Sequence, residues 1–116
     1  MRESVLKIKS YKFAIRVVKL YQFLIKEKKE FVLSKQILKS GTAIGALIRE
    51  AEFAQSRADF TNKMNIALKE ASETIYWLEI LKDTGYIDDK LFSSLNNDCE
   101  ELIRMLVSTV KTSKNH

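Results

Sequence analysis

The sequence lacks proline and holds only three glycines, Gly41, Gly45 and Gly85, and this scarcity of turn residues limits the folds it can adopt. Tight turns depend on Gly and Pro because these residues permit or fix the backbone angles that turns require. β-sandwiches, barrels and Rossmann-type sheets need many such turns, so they are unfavourable here. A chain of 116 residues has the usual size of one domain. The pattern predicts a single domain, residues 1–116, of long helices with few connections.

The first predicted helix runs from about Lys9 to Lys28 and carries apolar residues over half of its circumference, from Phe13 and Val17 round to Tyr11. A surface helix that packs only on its own core needs an apolar stripe of about 100°. The wider sector predicts burial on two sides. The remaining arc is basic and is expected to be exposed; its five cations are Lys9, Lys12, Arg16, Lys19 and Lys26.

The second predicted helix begins after Ser34, a plausible N-cap, and contains two glycines. Its seam alternates spacings of four and three residues, as a heptad does: Ile37, Gly41, Ile44, Ile48 and Ala51. Each glycine costs on the order of 1 kcal/mol of helix propensity relative to alanine. Gly41 and Gly45 therefore predict the close approach of another backbone, either within the chain or in a second subunit. Gly41, Gly45, Ile44 and Ile48 are candidate packing or interface residues.

A third helix is predicted to start at Ser56, where Asp59 completes a Ser-x-x-acid cap, and to end near Gly85. Its seam keeps the heptad rhythm through Phe60, Met64, Ala67, Ala71, Thr74, Leu78 and Leu81. Asp88 or Asp89 is expected to cap a fourth helix. The fourth seam comprises Phe92, Leu95, Cys99, Leu102 and Leu106. Short connections make neighbours antiparallel, which predicts an all-α, up-down-up-down four-helix bundle.

The side chains that catalysis and metal binding use are scarce. Cys99 is the single cysteine, and His116 is the single histidine. Zinc sites, di-iron Glu-x-x-His motifs and histidine-based triads are therefore unsupported. Glu50, Glu70 and Glu73 have no histidine at matching helical spacing, so ion pairs across helices or between subunits are favoured over acid–base chemistry. We expect no enzymatic activity, no metal and no cofactor.

Charge is unevenly distributed along the chain. Residues 1–49 hold 12 Lys/Arg and 3 Asp/Glu, a net charge of +9, whereas residues 50–116 hold 8 and 12, a net charge of −4. Such a basic half either binds a polyanion, usually nucleic acid, or meets the acidic half of a neighbouring subunit. Tyr76 and Trp77 suit base stacking, although aromatic residues beside a seam belong more often to a core or an interface.

Neither an export signal nor a membrane span is expected. The N-terminal residues lack the uninterrupted apolar stretch of a signal peptide, because Lys7, Lys9 and Lys12 interrupt it. The chain has no run of about 18 apolar residues. These patterns predict a cytoplasmic protein without a membrane partner.

A resemblance to a known family lies mainly in residues 40–81. The matching pieces include Gly41-Thr42-Ala43-Ile44-Gly45-Ala46, Glu50-Ala51, Asp59-Phe60 and Ile66-Ala67-Leu68-Lys69-Glu70-Ala71. These pieces resemble the bacterial four-helix-bundle family of proteins encoded in intervening sequences of 23S rRNA genes. The accessory variability determinant of diversity-generating retroelements is related to it. Leu47 departs from the pattern, because the family usually has Asn there.

The resemblance implies a non-enzymatic bundle that forms a ring- or barrel-shaped homo-oligomer, typically a pentamer. Retroelement members present basic surface to nucleic acid and to a reverse transcriptase. The combined prediction is a homo-oligomer that binds nucleic acid through its basic face. Tyr76 and Trp77 are added to the candidate packing or interface residues. A reverse transcriptase is a further predicted partner. The alternative is a protein–protein scaffold or adaptor that binds no nucleic acid.

Overall fold

The computed structural model describes the backbone of residues 2–115 and the side chains of residues 5–115; His116 lies outside them. Within this range the elements are α1 (Arg2–Glu27), α2 (Leu33–Ala51), α3 (Arg57–Asp83) and α4 (Asp89–Lys114). Each helix packs against the next and α4 packs against α1, whereas among these residues no Cα atom of α1 lies within 8 Å of one in α3, and none of α2 lies within 8 Å of one in α4. The helices therefore occupy the corners of a rod that measures 47 × 21 × 20 Å.

Side-chain contacts show that neighbouring helices are antiparallel. The Thr74 hydroxyl donates a hydrogen bond to Ser40 Oγ at 3.0 Å. Later in α2, Glu50 pairs with Lys63, which lies earlier in α3, at 3.2 Å. On the next seam, the Cys99 thiol donates to the backbone carbonyl of Ala71 at 3.3 Å. These contacts confirm the predicted four-helix bundle.

The core consists largely of the predicted seams. Phe60 and Phe92 are half-buried, and the other residues predicted for the seams of α2, α3 and α4 are buried. The first prediction for α1 was too short, because this helix begins at Arg2 rather than near Lys9. Leu6 and Ser10 are both buried and extend the inner face of α1 by a further turn. Lysines between them obscured this extension in the sequence.

The helix ends follow the predicted caps at α3 and α4. Ser56 Oγ accepts a hydrogen bond from the backbone N–H of Asp59 at 3.0 Å. Gly85 has a φ of +83°, the left-handed conformation that ends many helices. Asp88, rather than Asp89, caps α4 by accepting a hydrogen bond from the N–H of Leu91 at 2.8 Å.

The N-terminus of α2 is capped by a buried glutamate and not by Ser34, so the Ser34 prediction was wrong. The Glu30 carboxylate accepts hydrogen bonds from the backbone N–H groups of Val32, Leu33 and Ser34 at 3.1, 3.0 and 2.7 Å. Lys29, with φ +54°, turns the chain immediately before it. Burial raises the pKa of Glu30, but the N–H groups outweigh this effect, and its pKa lies below the usual value.

The two glycines of α2 lie where α1 crosses it. A Cβ on Gly41 would lie only 2.7 and 2.8 Å from the two Cγ atoms of Val17. At Gly45, a Cβ would meet Ser10 Oγ at 3.3 Å and the Ser10 carbonyl oxygen at 3.4 Å. The close approach that the glycines predicted is therefore made within the chain, by α1.

We expect Gly41→Ala to lower the free energy of unfolding by about 1–3 kcal/mol through overpacking, although alanine favours helix by about 1 kcal/mol. Val17→Ala removes the Cγ atoms in question, so Gly41→Ala should cost less in that background. Urea denaturation of wild type, the two single variants and the double variant measures the difference in the free energy of unfolding. A Gly41→Ala chain more stable than wild type would contradict the close approach.

Gly45→Leu should also be destabilising by about 1–3 kcal/mol, because its side chain would meet the backbone of α1 at Ser10. Ala46→Leu is the matched control, since Ala46 is exposed. Thermal unfolding of both variants compares the two positions. If Gly45→Leu melts no lower than Ala46→Leu, the backbone of α1 does not restrict this site.

Glu30→Ala should cost about 1–2 kcal/mol at pH 7, the usual effect of losing a helix cap. Because the pKa of Glu30 is lowered in the folded chain, this stabilisation is complete above the ordinary glutamate pKa of about 4.3. It should disappear as the pH falls through the lower folded value. Denaturation of wild type and Glu30→Ala between pH 7 and 3 tests this, with the exposed Glu27→Ala as control. A difference between wild type and Glu30→Ala that does not change with pH would contradict the cap.

Candidate nucleic-acid interface

Three of the five predicted cations form an exposed basic row along α1. Lys12, Lys19 and Lys26 are exposed and repeat every seven residues. At a rise of about 1.5 Å per residue, successive Cα atoms of the row lie about 10 Å apart. None of the three makes an ion pair or a hydrogen bond with another described residue. These lysines are available to an anionic ligand.

The other two cations of the predicted stripe, Lys9 and Arg16, are engaged by α4. Lys9 Nζ lies 2.9 Å from Glu101 Oε2. Arg16 Nη1 lies 2.7 Å from Asp98 Oδ2, and its Nη2 donates to Ser94 Oγ at 2.9 Å. Each such pair on a surface contributes about 0–1 kcal/mol. Their main effect is to neutralise charge, which leaves Lys9 and Arg16 less available to an anionic ligand than the three lysines of the basic row.

Beside the basic row runs an exposed apolar stripe, which we call the outer stripe: Ile8, Tyr11, Ile15 and Val18. Their exposed fractions are 55%, 53%, 41% and 37%. The same spacing continues through Gln22 and the half-buried Ile25. Positions 8, 11, 15, 18, 22 and 25 alternate three and four residues apart, which is a heptad seam. The seam faces away from the core.

Helix α1 thus has two apolar faces, as its wide apolar sector predicted. The inner face, with Phe13, Val17, Leu20 and Leu24, is buried in the bundle. Among the described residues, the Arg49 guanidinium lies over the Tyr11 ring at 5.2 Å, and the rest of the outer stripe is exposed. The sequence prediction found Tyr11 and Val18 but missed Ile8 and Ile15. Their common spacing with Tyr11 and Val18 was the signal that would have identified them.

The row and the stripe are neighbours on the helix. Lys12, Lys19 and Lys26 each follow a stripe position directly, so they occupy the e positions of the outward heptad. In helix pairs, residues at e positions border the apolar contact and select partners by charge. The basic row therefore lies at the edge of a surface that is suited to another helix.

The remaining candidate packing or interface residues lie partly in the core of the bundle and partly on its surface. Gly41, Ile44 and Ile48 are buried in the bundle, where they pack helices. Tyr76 is 56% exposed, and its ring meets that of the half-buried Trp77 edge to face at 5.1 Å. The structure therefore brings Tyr76 and Trp77 together on α3, on the opposite corner of the bundle from α1.

Features of catalytic or membrane-bound proteins are not found in the described residues. No group of three His, Cys, Asp or Glu side chains is placed to hold a metal within residues 5–115. Burial raises the pKa of the Cys99 thiol to about 12, with help from the charges of Glu100 and Asp98, so this thiol is unreactive. Among the described helices, none has the length and apolarity to cross a bilayer.

Comparison with known proteins finds a family and similar solved structures. The sequence profile described as 23S rRNA-intervening sequence protein matches residues 2–108. A crystal structure of a protein with unknown function from the S23 ribosomal protein family of Bacteroides thetaiotaomicron VPI-5482 is 61% identical in sequence. The match covers 96% of this chain and 99% of that chain, with a TM-score of 0.95. A search among curated proteins finds no match.

Proposed function

We propose that this chain, which belongs to the 23S rRNA-intervening sequence protein family, assembles into a non-enzymatic homo-oligomer that binds nucleic acid through repeated basic rows. The observation that carries the proposal is the pairing of two features on α1. An apolar seam is left uncovered by the single chain, and a row of unpaired lysines borders it. The seam provides assembly and the row provides the ligand surface.

The case for assembly rests on the outer stripe. A contiguous exposed apolar surface on a small protein usually marks an interface. The four stripe residues follow a heptad, the spacing by which helices pack against each other. Five subunits is the number that the family resemblance implies, and we adopt it for the proposal.

Nucleic-acid binding is favoured because assembly repeats the positively charged row in every subunit. One bundle offers Lys12, Lys19 and Lys26, which is a modest cationic surface. A closed assembly repeats this row in every subunit, and the combined field attracts a polyanion much more strongly. Contacts from lysines go to phosphates, which position a nucleic acid without reading its sequence. A reverse transcriptase remains a proposed further partner, on the strength of the resemblance.

A protein scaffold that binds no nucleic acid is the second candidate. Two observations favour it. Lys9 and Arg16 are neutralised by Glu101 and Asp98, which removes two of the five predicted phosphate ligands. The remaining lysines border an apolar seam, where charges commonly select a protein partner. The two candidates differ in their response to nucleic acid at low salt.

Wild type should be a stable oligomer at micromolar concentration, and Ile15→Asp should be a folded monomer. The substitution places a carboxylate in the centre of the outer stripe, where docking would remove it from water. Light scattering measures the mass of each protein in solution, and circular dichroism measures its helix content. Val32→Asp is the matched control, because Val32 is 70% exposed and lies outside the stripe. A wild-type monomer would contradict the proposal.

Removing the basic row should weaken nucleic-acid binding far more than assembly, because the apolar outer stripe is unchanged and ion pairs at its edge contribute little. We expect Lys12→Gln, Lys19→Gln and Lys26→Gln together to lower the affinity for single- and double-stranded ligands at least about tenfold at 50 mM salt. Glutamine is chosen because it adds no carboxylate beside Asp98 and Glu101. The slope of log affinity against log salt should become shallower by about 0.7–0.9 for each phosphate that the protein no longer neutralises.

The control for this experiment is the same triple change at Lys90, Lys111 and Lys114, which are exposed on α4. It removes the same charge and should alter binding much less. Fluorescence anisotropy with labelled oligonucleotides measures both variants across a salt titration. If wild type binds neither ligand at 50 mM salt, or if both triple variants lose binding equally, the basic row is not the ligand surface. The scaffold candidate would then lead.

A further inference from the structure

The outer stripe of α1 is unsuited to pairing with the same stripe of another copy. In an antiparallel pair of two α1 helices, e positions face e positions, so the lysines of one row would face the lysines of the other. In a parallel pair no carboxylate would face them, because Glu27 is the only acidic side chain described on α1. Like charges opposite each other are unfavourable. The row therefore favours an acidic partner surface.

An acidic surface with an apolar centre lies on α3. Tyr76 is exposed and Ile80 is half-buried, and they occupy the middle of the outward face. Three exposed carboxylates flank them, Glu73, Glu79 and Asp83, of which Asp83 lies 3.8 Å from Lys82 Nζ. Glu73, Tyr76, Ile80 and Asp83 are spaced three, four and three residues apart, which matches the spacing of the outer stripe. Lys69, one turn earlier, is the cation of this face. We call Glu73, Tyr76, Glu79, Ile80 and Asp83 the α3 face.

The two surfaces point to opposite sides of the molecule. Helices α1 and α3 occupy diagonal corners of the bundle, and none of their described Cα atoms lie within 8 Å of each other. The outward face of α1 and the outward face of α3 therefore cannot meet within one chain. One copy can offer its α1 to a second copy while its own α3 receives a third.

We propose that the outer stripe of one copy docks on the α3 face of a second copy. This inference rests on the proposed assembly and names the surface that covers the stripe. Apolar side chains meet in the centre of the contact, and the lysines of one copy lie beside the carboxylates of the next. Such a contact is heterologous, so repeating it gives a ring if the rotation between copies closes and an open filament if it does not.

The geometry leaves the basic row accessible on one side. Lys12, Lys19 and Lys26 lie on the edge of the outer stripe that is nearer to α4, because Lys12 shares a groove there with Asp98 and Glu101. A helix docked on the stripe covers the centre of the stripe and borders the row. Each lysine then still has one side open to solvent. Assembly and binding of an anionic ligand are therefore compatible.

Complementation between two damaged copies tests this docking. Ile15→Asp damages the α1 surface, and Glu73→Lys with Tyr76→Lys damages the α3 face. All three positions are exposed, so both variants should fold, which circular dichroism checks. Each variant alone should be a monomer, because each lacks one of the two surfaces that a contact requires.

Mixed in equal amounts, the two variants should form a species of twice the monomer mass and no larger. The intact α1 of the α3-face variant docks on the intact α3 of the Ile15→Asp variant, and the damaged surfaces prevent further growth. Light scattering measures this mass. A third variant, Ser93→Lys with Asn97→Lys, adds the same number of lysines on exposed positions of α4 and should assemble as wild type does.

Two results would overturn the inference, and they differ in what else they overturn. If the α3-face variant alone assembles as wild type does, the stripe docks elsewhere, while the proposed assembly survives. If wild type itself is a monomer, the proposed function fails together with this inference. A 1:1 mixture that stays monomeric while wild type is oligomeric would exclude the α1-to-α3 contact.

Discussion

The close crossing of α1 over α2 at two glycines determines the rest of this bundle. Gly41 faces the side chain of Val17, where an added Cβ would lie only 2.7 Å away, and Gly45 faces Ser10, where an added Cβ would fit tightly at 3.3 Å. With the inner face of α1 held there, the opposite side of the helix must face outward. That side carries the outer stripe and the basic row. The two glycines of α2, although unfavourable in a helix, thus allow the close packing that determines which side of α1 faces solvent.

Electrostatics then divides the cations of α1 according to their neighbours. Those nearest α4 pair with its carboxylates, as Arg16 does with Asp98, and they stabilise a seam where α1 and α4 contact each other less extensively than other neighbouring helices do. Those farther round the helix, such as Lys19, have no partner among the described residues of the chain. The same basic pattern in the sequence therefore serves two purposes. Only the unpaired part is available to a ligand or to another subunit.

Most of the architecture was predictable from the sequence, and parts of the site were not. Strong seams predicted α3 and α4 with their caps, because helix periodicity and capping are local properties. The Glu30 cap was missed, since it depends on the turn at Lys29 and on burial by the folded chain. The ion pairs of Lys9 and Arg16 were missed for a similar reason. They join α1 to residues of α4 that lie far away in the sequence, and no local pattern shows them.

Thiol reactivity measures directly whether the outer stripe becomes buried when copies meet. Val18→Cys places a thiol in the stripe, while the native Cys99 stays silent because it is buried and has a pKa of about 12. Val32→Cys, on the exposed connection between α1 and α2, is the reference. The rate of modification of Val18→Cys should fall as protein concentration rises, whereas the rate for Val32→Cys should not change. If the Val18→Cys rate is as constant with concentration as the Val32→Cys rate, the stripe does not become buried.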